Sequence, residues 1–168
     1  MPSGDRLQHL ILGVGGIAGH AHVGLRRFQP SYFAGAHLAQ NVSAVTAACA
    51  LVRREAYIQI GGFGENLAVT FNDTDFCLRL RQAGYWIVWT PHAELIHHKS
   101  VSRCLGESTP KKMRFLADLD YMKSKWDHSL ERDPFYNPKL SLDENLFTLA
   151  FPPRTTKPWQ SVAAELPD

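Results

Sequence analysis

Apolar and polar positions along the chain mark out a series of short elements. Leu10-Ile11-Leu12 is an apolar run ending at Gly13, which predicts a strand entering a glycine turn. Residues 20–41 contain Gly24, Pro30, Tyr32 and Gly35 and keep neither a strand nor a helix period, so they predict a loop with at most one helical turn. Residues 45–52 are small and apolar and predict a buried strand. Residues 53–60 predict a short helix closed by Gly61-Gly62, since glycine tolerates the left-handed conformation that ends helices. The best-signalled helix starts at Asn72 as N-cap. Asp73 and Asp75 lie in its first turn, Arg79 and Arg81 toward its end, and Phe76 and Leu80 form its apolar stripe. Residues 85–89 are aromatic and β-branched and predict a strand stopped by Pro91; residues 94–98 predict another. Thr109-Pro110 opens a helix running through Trp126, with Phe115, Leu119 and Met122 on one face.

This order predicts an α/β domain over residues 1–132. Prolines at 134, 138, 152, 153, 158 and 167 then predict an extended, poorly packed tail over residues 133–168, its last dozen residues disordered.

Composition narrows the function classes. The chain has 168 residues, 45% hydrophobic and 20% charged, enough apolar surface for one folded domain. A net charge of +2 is too small to argue for nucleic acid. No run reaches the roughly 18 apolar residues of a membrane span, and the opening MPSGDRLQHL has no signal-peptide pattern. Cys49, Cys77 and Cys104 are odd in number and far apart, which excludes a disulfide scaffold or zinc ribbon and fits a reducing, cytoplasmic setting. Between Asp5 and Glu55 there is no acidic residue, while five arginines and four histidines fall there. That stretch either faces phosphates or is a loop-rich surface.

Three motifs carry candidate chemistry. Gly13-Val14-Gly15-Gly16-Ile17-Ala18-Gly19 after an apolar strand is similar to the glycine turn of dinucleotide-binding domains. It lacks the acidic residue about 20 positions on and the amphipathic helix that the fingerprint requires. Asp73 and Asp75 are two apart on a helix, so their side chains point about 200° from each other. One can face a cleft and accept a proton from a hydroxyl while the other pairs within the fold; both serving simply as helix-start acids is the structural alternative. His97 and His98 end a strand, where neighbours face opposite sides, so one imidazole at most serves a given metal or phosphate. Ser100, Ser102 and Arg103 follow as anion-binding candidates. Trp86 and Trp89 offer either a sugar-stacking face or core packing.

Taken in order, residues 45–57, Gly61-Gly62-Phe63, the run from Asn72 to Tyr85, Thr90-Pro91, Ala93, His97-His98, Ser100 and Ser102-Arg103 resemble the C-terminal half of family-2 glycosyltransferases of the GT-A fold. Leu7-Gln8-His9 with Gly13, and Asp133-Pro134-Phe135-Tyr136-Asn137-Pro138, are similar to segments of bacterial rhamnosyltransferase-like and O-antigen members. The resemblance covers about residues 6–153. It implies a partial GT-A fold, a mixed sheet with packed helices, and inverting transfer of a sugar from a nucleotide-diphosphate donor to an acceptor hydroxyl in cell-surface polysaccharide synthesis. A divalent cation, Mn²⁺ or Mg²⁺, is expected to assist. Asp73 maps to the general base and Asp75 to a positioning residue. Thr46, Cys49, Asn72, Asp75, Ser102 and Arg103 map to the substrate site, and His97 to the metal, with His98 second.

The family's nucleotide-binding half, with its strand-end DxD, has no counterpart in this sequence. The expectation is therefore an acceptor-side fragment that is active only with a donor-binding half, or that associates with itself through an exposed sheet edge. Its expected partners are a nucleotide-diphosphate sugar and a glycan or lipid-linked acceptor, at the cytoplasmic or inner membrane face. A non-catalytic interaction or acceptor-binding remnant and a dinucleotide-binding domain are the alternatives.

Overall fold

A computed structural model describes residues 9–26, 28–67, 70–94, 109–143 and 145–155. The apolar run becomes strand β1 (His9–Leu12), all four of whose residues are buried. A central strand covered on both faces needs no polar alternation, which is why this segment reads as an unbroken apolar run. It pairs antiparallel with β2 (Ala18–His20) on one side and β4 (Ala44–Val45) on the other, in the order β2-β1-β4. A second, two-stranded antiparallel sheet joins β3 (Gln40–Asn41) to β5 (Val88–Trp89).

The α/β class holds. The mixed sheet does not: among the described residues every strand pairing is antiparallel.

The glycine run is a hairpin. Gly13, Gly15 and Gly16 have φ of 87°, 61° and 88°, the left-handed region that favours glycine. The chain then returns as β2, with Leu12 opposite Ala18. No helix N-terminus follows these glycines to receive a pyrophosphate, so the dinucleotide reading is overturned.

Two expected strands are shorter. The strand over residues 45–52 ends at Val45, because the Thr46 hydroxyl accepts the Ala48 N–H at 3.4 Å and opens a 3₁₀ turn over Ala47–Cys49. A local side-chain bond of this kind competes with the ladder, and Leu51 beyond it is fully exposed. Of residues 85–89 only Val88–Trp89 pair. Ile87 and Trp89 are buried there, while Trp86 is 71% exposed, so of the two tryptophans Trp89 packs in the core. The strand expected over residues 94–98 lies outside the described residues beyond Glu94.

Helix α1 (Arg54–Gln59) ends at Ile60 and Gly61, whose φ is 75°. Helix α2 (Asn72–Gln82) begins one position earlier than predicted, with Phe71 at the cap in a left-handed conformation. Its Phe76, Cys77 and Leu80 pack with Leu10, Val42, Ala44, Ala56, Ile87 and Trp89. Leu78 points the other way, into a cluster with Leu12, Ile17, Met122, Trp126 and Leu130. Helix α3 (Thr109–Glu131) buries Asp118, Met122, Trp126 and Leu130, a spacing of four that defines one face. Of the predicted stripe, Met122 is buried and Leu119 packs against the same cluster, while Phe115, on the same face nearer the helix start, remains 44% exposed.

Where the prolines suggested a poorly packed tail, the described part of residues 133–155 closes the molecule. Tyr136 and Leu140 are buried against Ile11 and Ala21. Asp133 accepts the Leu12 N–H at 2.9 Å, the Ser43 hydroxyl at 2.6 Å and the Phe135 N–H at 2.8 Å. Proline stops helices without preventing packing, and here the polar anchor decides. Among the described residues no helix is long and apolar enough to cross a membrane.

Candidate active site around Asp73

The first turn of α2 leaves backbone N–H groups without helical partners, and Asn72 and Asp73 take up two of them. The Asn72 side-chain oxygen accepts the Asp73 N–H at 2.8 Å, and Asp73 Oδ1 accepts the Thr74 N–H at 2.9 Å. Asp73 Oδ2 also accepts the Ala47 N–H at 3.3 Å, a contact spanning 26 residues that holds the 3₁₀ turn against the helix start. The dipole of α2 favours negative charge there. Asp73, Thr46, Cys49 and Asn72 are all partly open to solvent. That bond sets the turn carrying Thr46 and Cys49 against the helix start carrying Asn72 and Asp73.

Cys77, one turn further along α2, is a packing residue. Burial pushes its thiol up to about 11, with the Asp73 charge adding to the effect, and its Sγ donates to the Val45 carbonyl at 3.8 Å.

Asp75 points the other way, as the spacing predicts. It is 1% exposed. Its Oδ2 accepts Arg79 Nε at 2.8 Å, and its Oδ1 accepts Lys125 Nζ at 2.7 Å and Trp126 Nε1 at 2.9 Å. Burial pushes this carboxyl upward, but the bonds from Lys125, Trp126 and Arg79 outweigh it and hold the group below its ordinary value. Arg79 also donates to the Ile60 carbonyl at 2.7 Å, so this one carboxylate ties α2 to α3 and, through Arg79, to the end of α1. It is not gathered with Thr46 and Cys49.

The sequence pattern does not single out Trp126, Lys125 or Asp133 as anchors. The i,i+4 spacing of Asp75 and Arg79 is the one signal in the sequence for this network. His97, His98, Ser100, Ser102 and Arg103 lie outside the described residues. Among the described residues no group of three or more His, Cys, Asp or Glu could hold a metal.

Sequence comparison gives the site its context. The chain is 46% identical over 150 residues to the uncharacterized protein y4gI of Sinorhizobium fredii, covering 88% of this chain and 16% of that protein. It is 34% identical over 139 residues to the O-antigen biosynthesis protein RfbC of Myxococcus xanthus, covering 81% of this chain and 11% of that protein. Over 58 residues it is 43% identical to the N-acetylglucosaminyl-diphospho-decaprenol L-rhamnosyltransferase of Mycobacterium tuberculosis, covering 34% of this chain and 19% of that enzyme. The relationship is glycosyltransferase-like. The chain spans between 11% and 19% of the length of these curated relatives. No family model and no solved structure matches.

Proposed function

We propose that this chain is the acceptor-side half of an inverting glycosyltransferase of the GT-A type, family 2, working with a donor-binding half in cell-surface polysaccharide synthesis. The donor is a nucleotide-diphosphate sugar and the acceptor a glycan or lipid-linked hydroxyl. One observation carries the reading: Asp73 is held half-open at the start of α2 with the Thr46–Cys49 turn pinned to it. The relatives' names, O-antigen biosynthesis and rhamnosyltransferase, support the reaction class.

In this mechanism Asp73 accepts the acceptor's hydroxyl proton as that oxygen bonds to the anomeric carbon. The bond from that carbon to the diphosphate breaks, and the diphosphate leaves with the electron pair. The backbone bonds to Ala47 and Thr74 fix the carboxylate's direction, which matters because misplacing a base by an ångström costs rate steeply. Thr46 and Cys49 border the acceptor, and Asn72 shapes the helix start. Asp75 positions the helix from beneath. Loss of transfer on chelation, restored by Mn²⁺ or Mg²⁺, tests whether a cation assists.

The test is Asp73→Asn, assayed for transfer from UDP-, GDP- and dTDP-sugars in the presence of a donor-binding half. Transfer is expected to fall by roughly 10²–10⁴-fold while donor binding by calorimetry persists. Undiminished transfer would overturn the base assignment. Acceptor binding without any Asp73-dependent transfer would make the chain a non-catalytic binding module.

A further inference from the structure

The first turns of α3 leave an unusual surface in solvent. Residues Lys112, Met113, Arg114, Phe115, Leu116 and Ala117 are all exposed, with Met113 66% and Leu116 49% accessible. Successive helix positions rotate by about 100°. Relative to Met113, Leu116 and Ala117 fall within about 60° on either side, whereas Lys112 lies about 100° to one side and Arg114 about 100° to the other. The result is a narrow apolar strip with a basic rim on both edges, ending at the exposed Asp120. The opposite face carries the buried Met122 and Trp126, so the strip points away from the core.

We infer that this strip is a docking surface for an anionic lipid membrane. Apolar side chains flanked by Lys and Arg suit the headgroup boundary. The apolar groups enter the acyl region while the long basic side chains extend back to the phosphates. An acidic leaflet attracts such a rim, and the attraction is screened by salt. A second copy of the chain fits less well, because docking strip to strip would bring the basic rims of both copies together. Phe115 lies about 160° around α3 from Met113, on the face turned to the core, and its ring is 5.8 Å from that of Phe71, two residues before Asp73. A chain seated on lipid through α3 therefore holds the start of α2 about one helix diameter, roughly 10 Å, above the surface. The reach from there to a lipid-linked acceptor rests on the proposed function; the lipid binding does not.

Flotation of the full chain with phosphatidylcholine vesicles, with and without phosphatidylglycerol, tests it, since neither sugar nor nucleotide is needed. Binding is expected only to the anionic vesicles and should weaken with added salt. It should fall about tenfold or more in Lys112→Glu/Arg114→Glu, where two attractions become repulsions, and also in Met113→Ser/Leu116→Ser. Circular dichroism confirms that both variants keep the fold. Absence of binding overturns the proposal, and so does equal binding to neutral vesicles or binding unaffected by both variants. Concentration-dependent dimers abolished by Met113→Ser/Leu116→Ser, without vesicle binding, would assign the strip to a second copy instead.

Discussion

The indole N–H of Trp126 donates to the buried carboxylate of Asp75 at 2.9 Å. The bond joins the helix that carries Asp73 to the helix behind it. A buried charge is tolerated only when its partners replace water, and Asp75 has three of them.

Asp75→Ala leaves Lys125, Arg79 and Trp126 without their shared acceptor. Removing one side of a buried charged network typically costs 3–5 kcal/mol. Lys125 is a third exposed (33% by side chain) and Arg79 17%, so water recovers part of the loss and about 3 kcal/mol is expected. Trp126→Phe, which removes one neutral donor, should cost about 1–2 kcal/mol. Urea unfolding of the two variants checks the order.

His9 sets an acid limit. Burial, with the neighbouring His22 adding repulsion, lowers its pKa from 6.5 to about 3, and the rings are 5.2 Å apart. The fold therefore prefers neutral His9. Its contribution is complete above about pH 6.5 and is lost as pH falls toward 3, with a slope approaching about 1.4 kcal/mol per pH unit. Asp75, whose pKa is also depressed, adds its loss only below its unfolded value near 3.8. His9→Phe should flatten the pH dependence of the urea midpoint in the upper window and leave the lower one. A wild-type midpoint unchanged between pH 6.5 and 4 would count against the burial of a neutral imidazole.

The thiols should differ in reactivity. Cys77 is 3% exposed with its pKa raised to about 11, so almost no thiolate forms near neutrality. Cys49 is half-buried at the candidate site. Maleimide at pH 7.5 followed by peptide mapping should label Cys49 in the folded chain and Cys77 only after unfolding. Equal labelling would show that α2 opens readily.

Gly13 is constrained twice. Its φ is +87°, and a Cβ there would lie 2.8 Å from Leu142 Cδ1 and 3.0 Å from the Leu130 carbonyl. Gly15, with φ +61°, has open space around it. Gly13→Ala is expected to cost about 2–3 kcal/mol and Gly15→Ala about 1, measurable as separate shifts in thermal midpoint.

The sequence was legible where local chemistry acts alone. The α2 signals, acids at one end and arginines at the other, placed that helix to within one residue, and the two-residue spacing of Asp73 and Asp75 foretold their opposite directions. It was less legible where distant residues decide. Nothing near Val45 shows that Thr46 will divert the strand into a turn, and nothing near Pro134 shows that Asp133 will reach Leu12. The glycine run misled because a hairpin and a phosphate turn require the same left-handed conformations; the two differ only in whether a strand or a helix comes next. At the candidate site Asp73 could be named from the sequence, whereas Ala47, which offers only a backbone N–H, leaves no trace in residue type.

The stitch between Leu12 and Asp133 joins positions 121 residues apart. It has a consequence for the order in which the molecule is made. A ribosome that has finished the five strands and three α-helices of the described residues has still not delivered the carboxylate that Leu12 and Ser43 require. The central strand then waits with an unanswered donor until the segment after α3 emerges. A nascent chain stalled just before Asp133 should therefore be more open to protease than one extended past Leu140, although the second is longer.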